Sequence, residues 1–403
     1  MRFQSSFKQY LKWLIGSYLA IGLLLAFNSK LILDVSLSAF ILVGPFVLCT
    51  VAYGAMTLNK KYIISGAAVG LLYVVALVAF SPIFMPSTHR NLIGNVEEIE
   101  FSSQIEHMDL KQLPIIDKEL AYKLADKKLG EIPSLGSQVT IGDLSLQSVN
   151  GQLYYVGPLE HSSFFKWLTN SEGTKGYIKV SATNQNDVQL VTELNGEEIR
   201  LKYIPSAYLF SDLDRHAYFK DMKAGHTDYT FELDDDGNPY WVITRYDNAI
   251  GITEQKAIGT EIINAQTGET NIYDIENTPK WVDRIQPESL VINQIKDWGL
   301  YVKGFINSVF SEEGVLVPTE GASLVYGNDG KSYWYTGITS SGGDESTVGF
   351  MLVDSRTKEA KLYMQTGATE TAAMTSAEGK VQEKNYEATF PVMYNIYGTP
   401  TYV

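Results

Sequence analysis

The chain has 403 residues, 45% of them hydrophobic and 19% charged, with a formal net charge of −14. Residues 1–86 hold six basic side chains and one acid, Asp34. Of the 32 basic and 46 acidic residues, 26 and 45 therefore follow, a net of −19 that excludes nucleic acid and anionic polymers as partners while tolerating cations. The single cysteine, Cys49, lies in an apolar run, so the long remainder has no disulfide, no cysteine nucleophile and no cysteine-built zinc site.

Three apolar runs open the chain, at 13–27, 31–56 and 62–84. A helix needs about 20 mostly apolar residues to cross a bilayer. The second and third runs reach that length, and the first does so by including Tyr10 and Leu11. The expectation is a three-helix transmembrane anchor over 1–86, with helices at about 10–27, 31–56 and 62–84. The first run also has the basic start of a cleaved signal, but no small-residue cleavage pattern closes it. Arg2, Lys8 and Lys12 precede the first run, and Lys60 and Lys61 separate the second from the third. Lys and Arg favour the cytoplasmic side, which places the N-terminus inside and everything after about residue 86 outside the cell membrane. Asp34 reads as an interfacial carboxylate, and Tyr10, Trp13, Tyr53 and Tyr62 suit the lipid–water interface. Residues 87–112 carry few structural signals and read as a neck.

Beyond the neck the sequence repeats. Three turns are followed by paired aromatics: Asn150-Gly151-Gln152-Leu153-Tyr154-Tyr155, Asp236-Gly237-Asn238-Pro239-Tyr240-Trp241 and Asp329-Gly330-Lys331-Ser332-Tyr333-Trp334. Asn-Gly and Asp-Gly suit a type I′ hairpin turn, and Tyr and Trp favour strands. After each comes a glycine that opens a further strand, at Gly176, Gly259 and Gly349. Each of these strands leads through a polar turn to a last one, ending at Val191, Tyr273 and Tyr363. A helix precedes each unit. The first spans 117–129, with Asp117 as N-cap, Leu120, Ala121, Leu124, Ala125 and Leu129 on one face, and Gly130 as the stop. The second starts at Ser211-Asp212-Leu213-Asp214, with acids where the helix dipole favours them. The third is the stretch 287–310, whose stripe of Val291, Ile295, Trp298, Val302, Phe305 and Val309 has helical spacing. Gly299 and Gly304 interrupt it, predicting a kink or two shorter helices. The fold class is thus α+β: an anchor, then three helix-plus-antiparallel-sheet units at 113–204, 205–284 and 285–403. The stripe either packs on the sheets or offers Trp298, Val302, Phe305 and Val309 to a partner, including a second copy of the chain.

The order of helix, hairpin and polar turn resembles the PepSY type of module, a helix packed on a short antiparallel sheet with an aspartate-x-x-threonine-glycine-like turn. The best match is Ile262-Ile263-Asn264-Ala265-Gln266-Thr267-Gly268-Glu269. Val353-Asp354-Ser355-Arg356-Thr357-Lys358 lacks the glycine, and Val180-Ser181-Ala182-Thr183 departs further. The resemblance implies a binding or inhibitory module near a membrane, linked to peptidases or envelope regulation. It brings no catalytic residues.

Chemistry-bearing residues are few. Asp212, Asp214, His216, Asp221, His226 and Asp228 concentrate histidine and carboxylate, and Asp212, Asp214, His216 and His226 form a candidate metal cluster, although without a recognised metal spacing. Glu232-Leu233-Asp234-Asp235-Asp236-Gly237 lacks the ligand spacing of a calcium loop and reads as an acidic hairpin. Glu160-His161-Ser162-Ser163 has no nucleophile elbow around it. There is no phosphate-binding glycine loop, and neither a metal site nor a cofactor is expected. These readings point to a membrane-anchored extracytoplasmic binding or regulatory protein of the cell envelope, non-enzymatic. Its partners would be lipid through the N-terminal helices and another envelope protein or itself. The alternative is an envelope peptidase or wall-processing enzyme, or its accessory subunit.

Overall fold

The computed structural model describes residues 2–27, 35–101, 114–251, 253–319, 321–342, 345–380, 387–389, 391–396 and 399–403. Three helices come first: α1 (Arg2–Phe27), α2 (Val35–Met56, with Pro45 inside) and α3 (Lys60–Ala79). Asn59 caps α3 by accepting a hydrogen bond from the Lys61 amide. Gly54 and Gly66 let α2 and α3 approach closely, since a Cβ on Gly66 would lie 2.8 Å from the Val51 side chain. Tyr10, Tyr53 and Tyr62 pack on one another beside Lys60 and Lys61, with ring centroids 4.9–6.0 Å apart, and the Tyr10 hydroxyl bonds Thr50. By length and apolarity over the described residues, one helix can cross a membrane, Lys60–Ala79, with Val43–Met56 as a shorter apolar helix. Asp34 and the 28–34 connection lie outside the described residues. The third helix stops at Ala79 rather than at 84, because Ser81 precedes Pro82 and the residue before proline avoids the helical region.

The expected neck is partly structured. Pro86 opens α4 (Pro86–Arg90), and β1 (Val96–Glu100) follows. β1 joins the third sheet by a parallel pairing, Val96 opposite Ala360 through Glu100 opposite Met364. Val96 and Ile99 lie three residues apart, without strand alternation, and the partner strand lies far along the chain, so the segment reads as a linker. Residues 102–113 are outside the described residues.

The first unit follows: α5 (Lys118–Gly130), β2 (Val139–Ile141), β3 (Ser145–Val149), β4 (Gln152–His161), α6 (Phe164–Thr169), β5 (Tyr177–Ser181), β6 (Val188–Val191) and the small hairpin β7 (Glu193–Leu194) and β8 (Glu197–Glu198). The second has α7 (Leu213–Lys220) and the sheet β9 (Gly225–Leu233), β10 (Pro239–Ile250), β11 (Glu254–Asn264) and β12 (Thr270–Asp274). The third has α8 (Glu288–Leu300), α9 (Gly304–Phe310), β13 (Leu316–Pro318), β14 (Ser323–Tyr326), β15 (Ser332–Ser340), β16 (Ser346–Asp354), β17 (Ala360–Ala368), α10 (Glu370–Lys380) and a terminal hairpin of β18 (Met393–Ile396) and β19 (Thr399–Tyr402). The sheet orders are β2-β4-β5-β6 with β3 on β4, β12-β11-β10-β9, and β1-β17-β16-β15-β13 with β14 on β15. The chain is mixed α+β.

The repeated residues occupy matching places. Tyr155, Trp241 and Trp334 each lie on the strand after the turn. Across them stand Leu146, Phe231 and Leu324 on one side and Val180, Ile263 and Val353 on the other. Trp241 and Trp334 donate their indole N–H groups to the Tyr203 and Gln286 carbonyls, 2.8 and 2.7 Å away, so both rings are buried without an unpaired donor. Only the first turn is the expected two-residue type, with Asn150 and Gly151 both at positive φ. In the others, Gly237 and Gly330 alone do so. There the Asp234 amide donates to the Asn238 carbonyl and the Gly327 amide to the Lys331 carbonyl, closing a wider loop with a glycine bulge.

The helices α5, α7 and α8 bury apolar faces, although Leu120 of α5 is 39% exposed. Asp117 caps α5 by accepting from the Leu120 amide, and Ala121, Ala125 and Leu129 pack on Tyr155, Ile178 and Val180. Asp212 caps α7, and Leu213 and Ala217 join a core shared by the first and second sheets. The stretch 287–310 divides in two at Tyr301–Gly304. Gly299 backs onto β13, where a Cβ would sit 2.0 Å from the Leu316 carbonyl oxygen. Val291 and Ile295 are buried under the third sheet, Trp298 and Phe305 are half-buried, and Val302 and Val309 are 38% and 52% exposed. Ile295→Asp should therefore cost about 3 kcal/mol or more by burying an unpaired carboxylate, and Val302→Asp less than about 1. Thermal denaturation of the two variants checks this, and equal losses would contradict the division of the stripe.

The units meet around Asp283. Its carboxylate accepts from the Ser148 amide at 2.6 Å and the Tyr326 hydroxyl at 2.8 Å, and its carbonyl accepts from Ser332 and Ser355. Next to it, Glu232 accepts from Thr230 at 2.8 Å and is fully enclosed. Burial, with the Asp283 charge adding to it, pushes the Glu232 carboxyl up to about 8, and burial pushes Asp283 up to about 6.

Candidate functional site

Among the described residues, one group of histidine and carboxylates has its ligand atoms converging: His89, Glu254 and Asp297. Pro86 starts α4 just beyond α3, and one turn later His89 is fully buried. α8 brings Asp297, whose Oδ2 is 3.3 Å from His89 Nδ1. The first residue of β11 brings Glu254, with Oε1 3.6 Å from the same nitrogen. The other ring nitrogen, Nε2, lies 2.9 Å from the Phe80 carbonyl oxygen. All three ligand atoms lie within 4.8 Å of one another.

The surroundings hold this geometry. Gly251, at φ +55, caps the β10–β11 hairpin directly against Phe80, where a Cβ would lie 2.4 Å from the ring. The Arg90 guanidinium covers the Trp298 ring at 5.3 Å and bonds the Trp298 carbonyl, fixing α4 to α8. Tyr301 presents its ring edge-on to His89 at 6.3 Å. Burial raises the Glu254 carboxyl, and the Asp297 charge raises it further while His89 opposes both. Burial also raises Asp297, again opposed by His89.

The chemistry follows from hydrogen-bond roles. A carbonyl can only accept, so His89 Nε2 carries a hydrogen, and in the neutral ring Nδ1 turns a lone pair toward two carboxylates. Three electron-rich atoms so placed need positive charge among them.

The candidate cluster of Asp212, Asp214, His216 and His226, which the sequence did not favour, does not converge among the described residues. Asp212 caps α7, and the Tyr229 hydroxyl is driven upward by burial first and then by the charges of Asp214, Glu261 and Asp212. His226 meets Glu261 instead, Nε2 to Oε2 at 2.9 Å, both side chains at most 3% exposed. His216 turns away and bonds the Gly268 carbonyl at 2.8 Å, its ring against Tyr203. In the Glu160–Ser163 segment, Ser162 donates to the Gln138 carbonyl and Ser163 caps α6. Asp234 holds the acidic hairpin by accepting from the Asp236 and Asn238 amides. The partner-binding candidates are divided: Trp298 lies under Arg90, Phe305 sits by Tyr301, and Val302 and Val309 are exposed. Sequence reasoning gave His89, Glu254 and Asp297 no role. No local signal marks them, because the three come from remote elements.

No protein-family model matches the chain, and no curated protein matches it. Among solved structures, 57% of the chain is similar to an endo-arabinase from Bacteroides thetaiotaomicron VPI-5482, at 10% identity and a TM-score of 0.17. The match spans 62% of that enzyme's chain, and similarity at this level carries no argument about fold or activity.

Proposed function

We propose that this protein is a membrane-anchored, extracytoplasmic binding or regulatory protein of the cell envelope, built from PepSY-like units and without catalysis of its own. The observation that carries the reading is α3, which leaves Ile64, Leu71, Leu72, Val74, Val75 and Val78 exposed among the described residues. Exposed apolar side chains on this scale call for lipid. Lys60 and Lys61 at the start of α3 set the cytoplasmic end, beside the tyrosine cluster. In this reading α1 and α2 complete a three-helix anchor, and residues after about 86 face outward. The Phe80–Gly251 contact then seats the three units directly on the outer end of α3. The binding partner is another envelope protein or a second copy of the chain.

Fractionation tests the reading. The full chain should stay in the membrane pellet through an alkaline carbonate wash, and release by that wash would contradict the anchor. The full chain in detergent should also show no peptidase, muralytic or phosphatase turnover, with or without zinc or calcium. Turnover abolished by His161→Gln or His216→Gln would favour the enzymatic alternative.

A further inference from the structure

We propose that His89, Glu254 and Asp297 bind one divalent transition-metal ion of the zinc class, which clamps the chain just beyond α3 to α8 and to the β10–β11 hairpin. Four observations converge on this. Ligands about 2.0–2.1 Å from a tetrahedral zinc stand roughly 3.3 Å from one another. The separations from Nδ1 to the two carboxylates are 3.3 and 3.6 Å, and all three ligand atoms lie within 4.8 Å of one another, so small side-chain rotations close them around an ion. The donor set is one imidazole nitrogen and two carboxylate oxygens, which suits zinc-class ions, whereas calcium and magnesium prefer oxygen throughout.

The third observation is the outer partner. Metal-binding histidines usually give their second ring N–H to a carbonyl or carboxylate, which fixes the ring and its tautomer. Here Phe80 supplies that carbonyl at 2.9 Å. The fourth is charge. Two carboxylates bring two negative charges, and a proton on His89 would neutralise one of them, whereas a divalent ion neutralises both. Asp297 and Glu254 are 17% and 31% exposed at the side chain, so solvent reaches the site and a water can take the fourth position.

The site rests on the described residues alone and does not need the membrane reading. The test uses the full-length chain in detergent, stripped with EDTA and titrated with zinc chloride in a competition assay and in thermal denaturation. The expected result is one equivalent of zinc bound and a raised melting temperature, with no shift from magnesium. Glu254→Gln and Asp297→Asn keep the shapes of the side chains and should each weaken zinc binding about tenfold or more. His216→Gln should bind as the wild type does. X-ray absorption at the zinc edge should show a nitrogen/oxygen first shell with the outer-shell signature of one imidazole. The proposal is overturned if the wild type takes up no zinc, as it would if the triad held only a proton. It is also overturned if both carboxylate variants bind as the wild type, or if His216→Gln loses the ion while they keep it.

Discussion

Gly259→Ala should destabilise the chain by about 3 kcal/mol or more, and Gly176→Ala and Gly349→Ala should match it. A Cβ at these positions would lie 2.0, 2.0 and 2.2 Å from the carbonyl oxygens of Tyr273, Val191 and Tyr363, respectively. Those oxygens belong to the neighbouring strand, so no side chain can rotate away to make room. Gly176 and Gly259 add the strain of positive φ, at +84° and +151°. The turn glycines give the contrast. Gly151 and Gly330 have open space where a Cβ would go, so alanine there should cost only about 1 kcal/mol, from φ alone. Denaturant melts of the five variants check the ranking. If Gly259→Ala proved no worse than Gly330→Ala, the close strand approach would be wrong. If one of the three strand glycines tolerated alanine, the equivalence of the units would fail at that unit.

Glu232→Gln should stabilise the protein at alkaline pH by a few kcal/mol and flatten its pH dependence. The folded carboxyl is pushed up to about 8 from an ordinary 4.5, chiefly by burial. Between those values the folded state keeps a proton that the unfolded state has released. Stability is therefore greatest below about 4.5, falls as pH rises, and levels off above about 8, with a slope of about 1.4 kcal/mol per unit. Asp283, pushed up to about 6, adds the same sign at lower pH. Glutamine reproduces the shape of the protonated acid and removes the titration. Melting temperatures at pH 5 and pH 9 should diverge for the wild type and converge for the variant, and parallel curves would contradict a protonated Glu232. The same comparison bears on the fold, because Glu232 and Asp283 lie where the three units meet.

The α+β class was legible because its signals are local. Asp117 and Asp212 cap the helices their positions announced, and the aromatic residue four places after each turn glycine reaches a matching strand position. The break in 287–310 was legible from Gly299 and Gly304, although Gly299 serves to admit the Leu316 carbonyl rather than to bend the helix. What was not legible depends on distant pairing. β1 reads as an acidic neck until it lies beside β17. Asp283 looks like any loop aspartate until Ser148 and Tyr326 close on it. The site is the extreme case. His89 Nδ1 and Asp297 Oδ2 meet at 3.3 Å across 208 positions of sequence, and Glu254 belongs to a third element, so no spacing rule could have joined them. The cluster of Asp212, Asp214, His216 and His226, a candidate the sequence did not favour, shows the opposite case. Closeness in sequence put His216 on a helix and His226 on a strand, where each met a different partner.

Cysteine labelling on intact cells tests the central claim, an outward-facing body hung from α3, most directly. In a full-length chain with Cys49→Ser, single cysteines replace Thr57, before α3, or the exposed Gln185, in the first unit. A membrane-impermeant maleimide should label Gln185→Cys on whole cells and label Thr57→Cys only after lysis. Labelling of Thr57→Cys on whole cells with Gln185→Cys protected would reverse the orientation, and protection of both until lysis would place the body inside the cell.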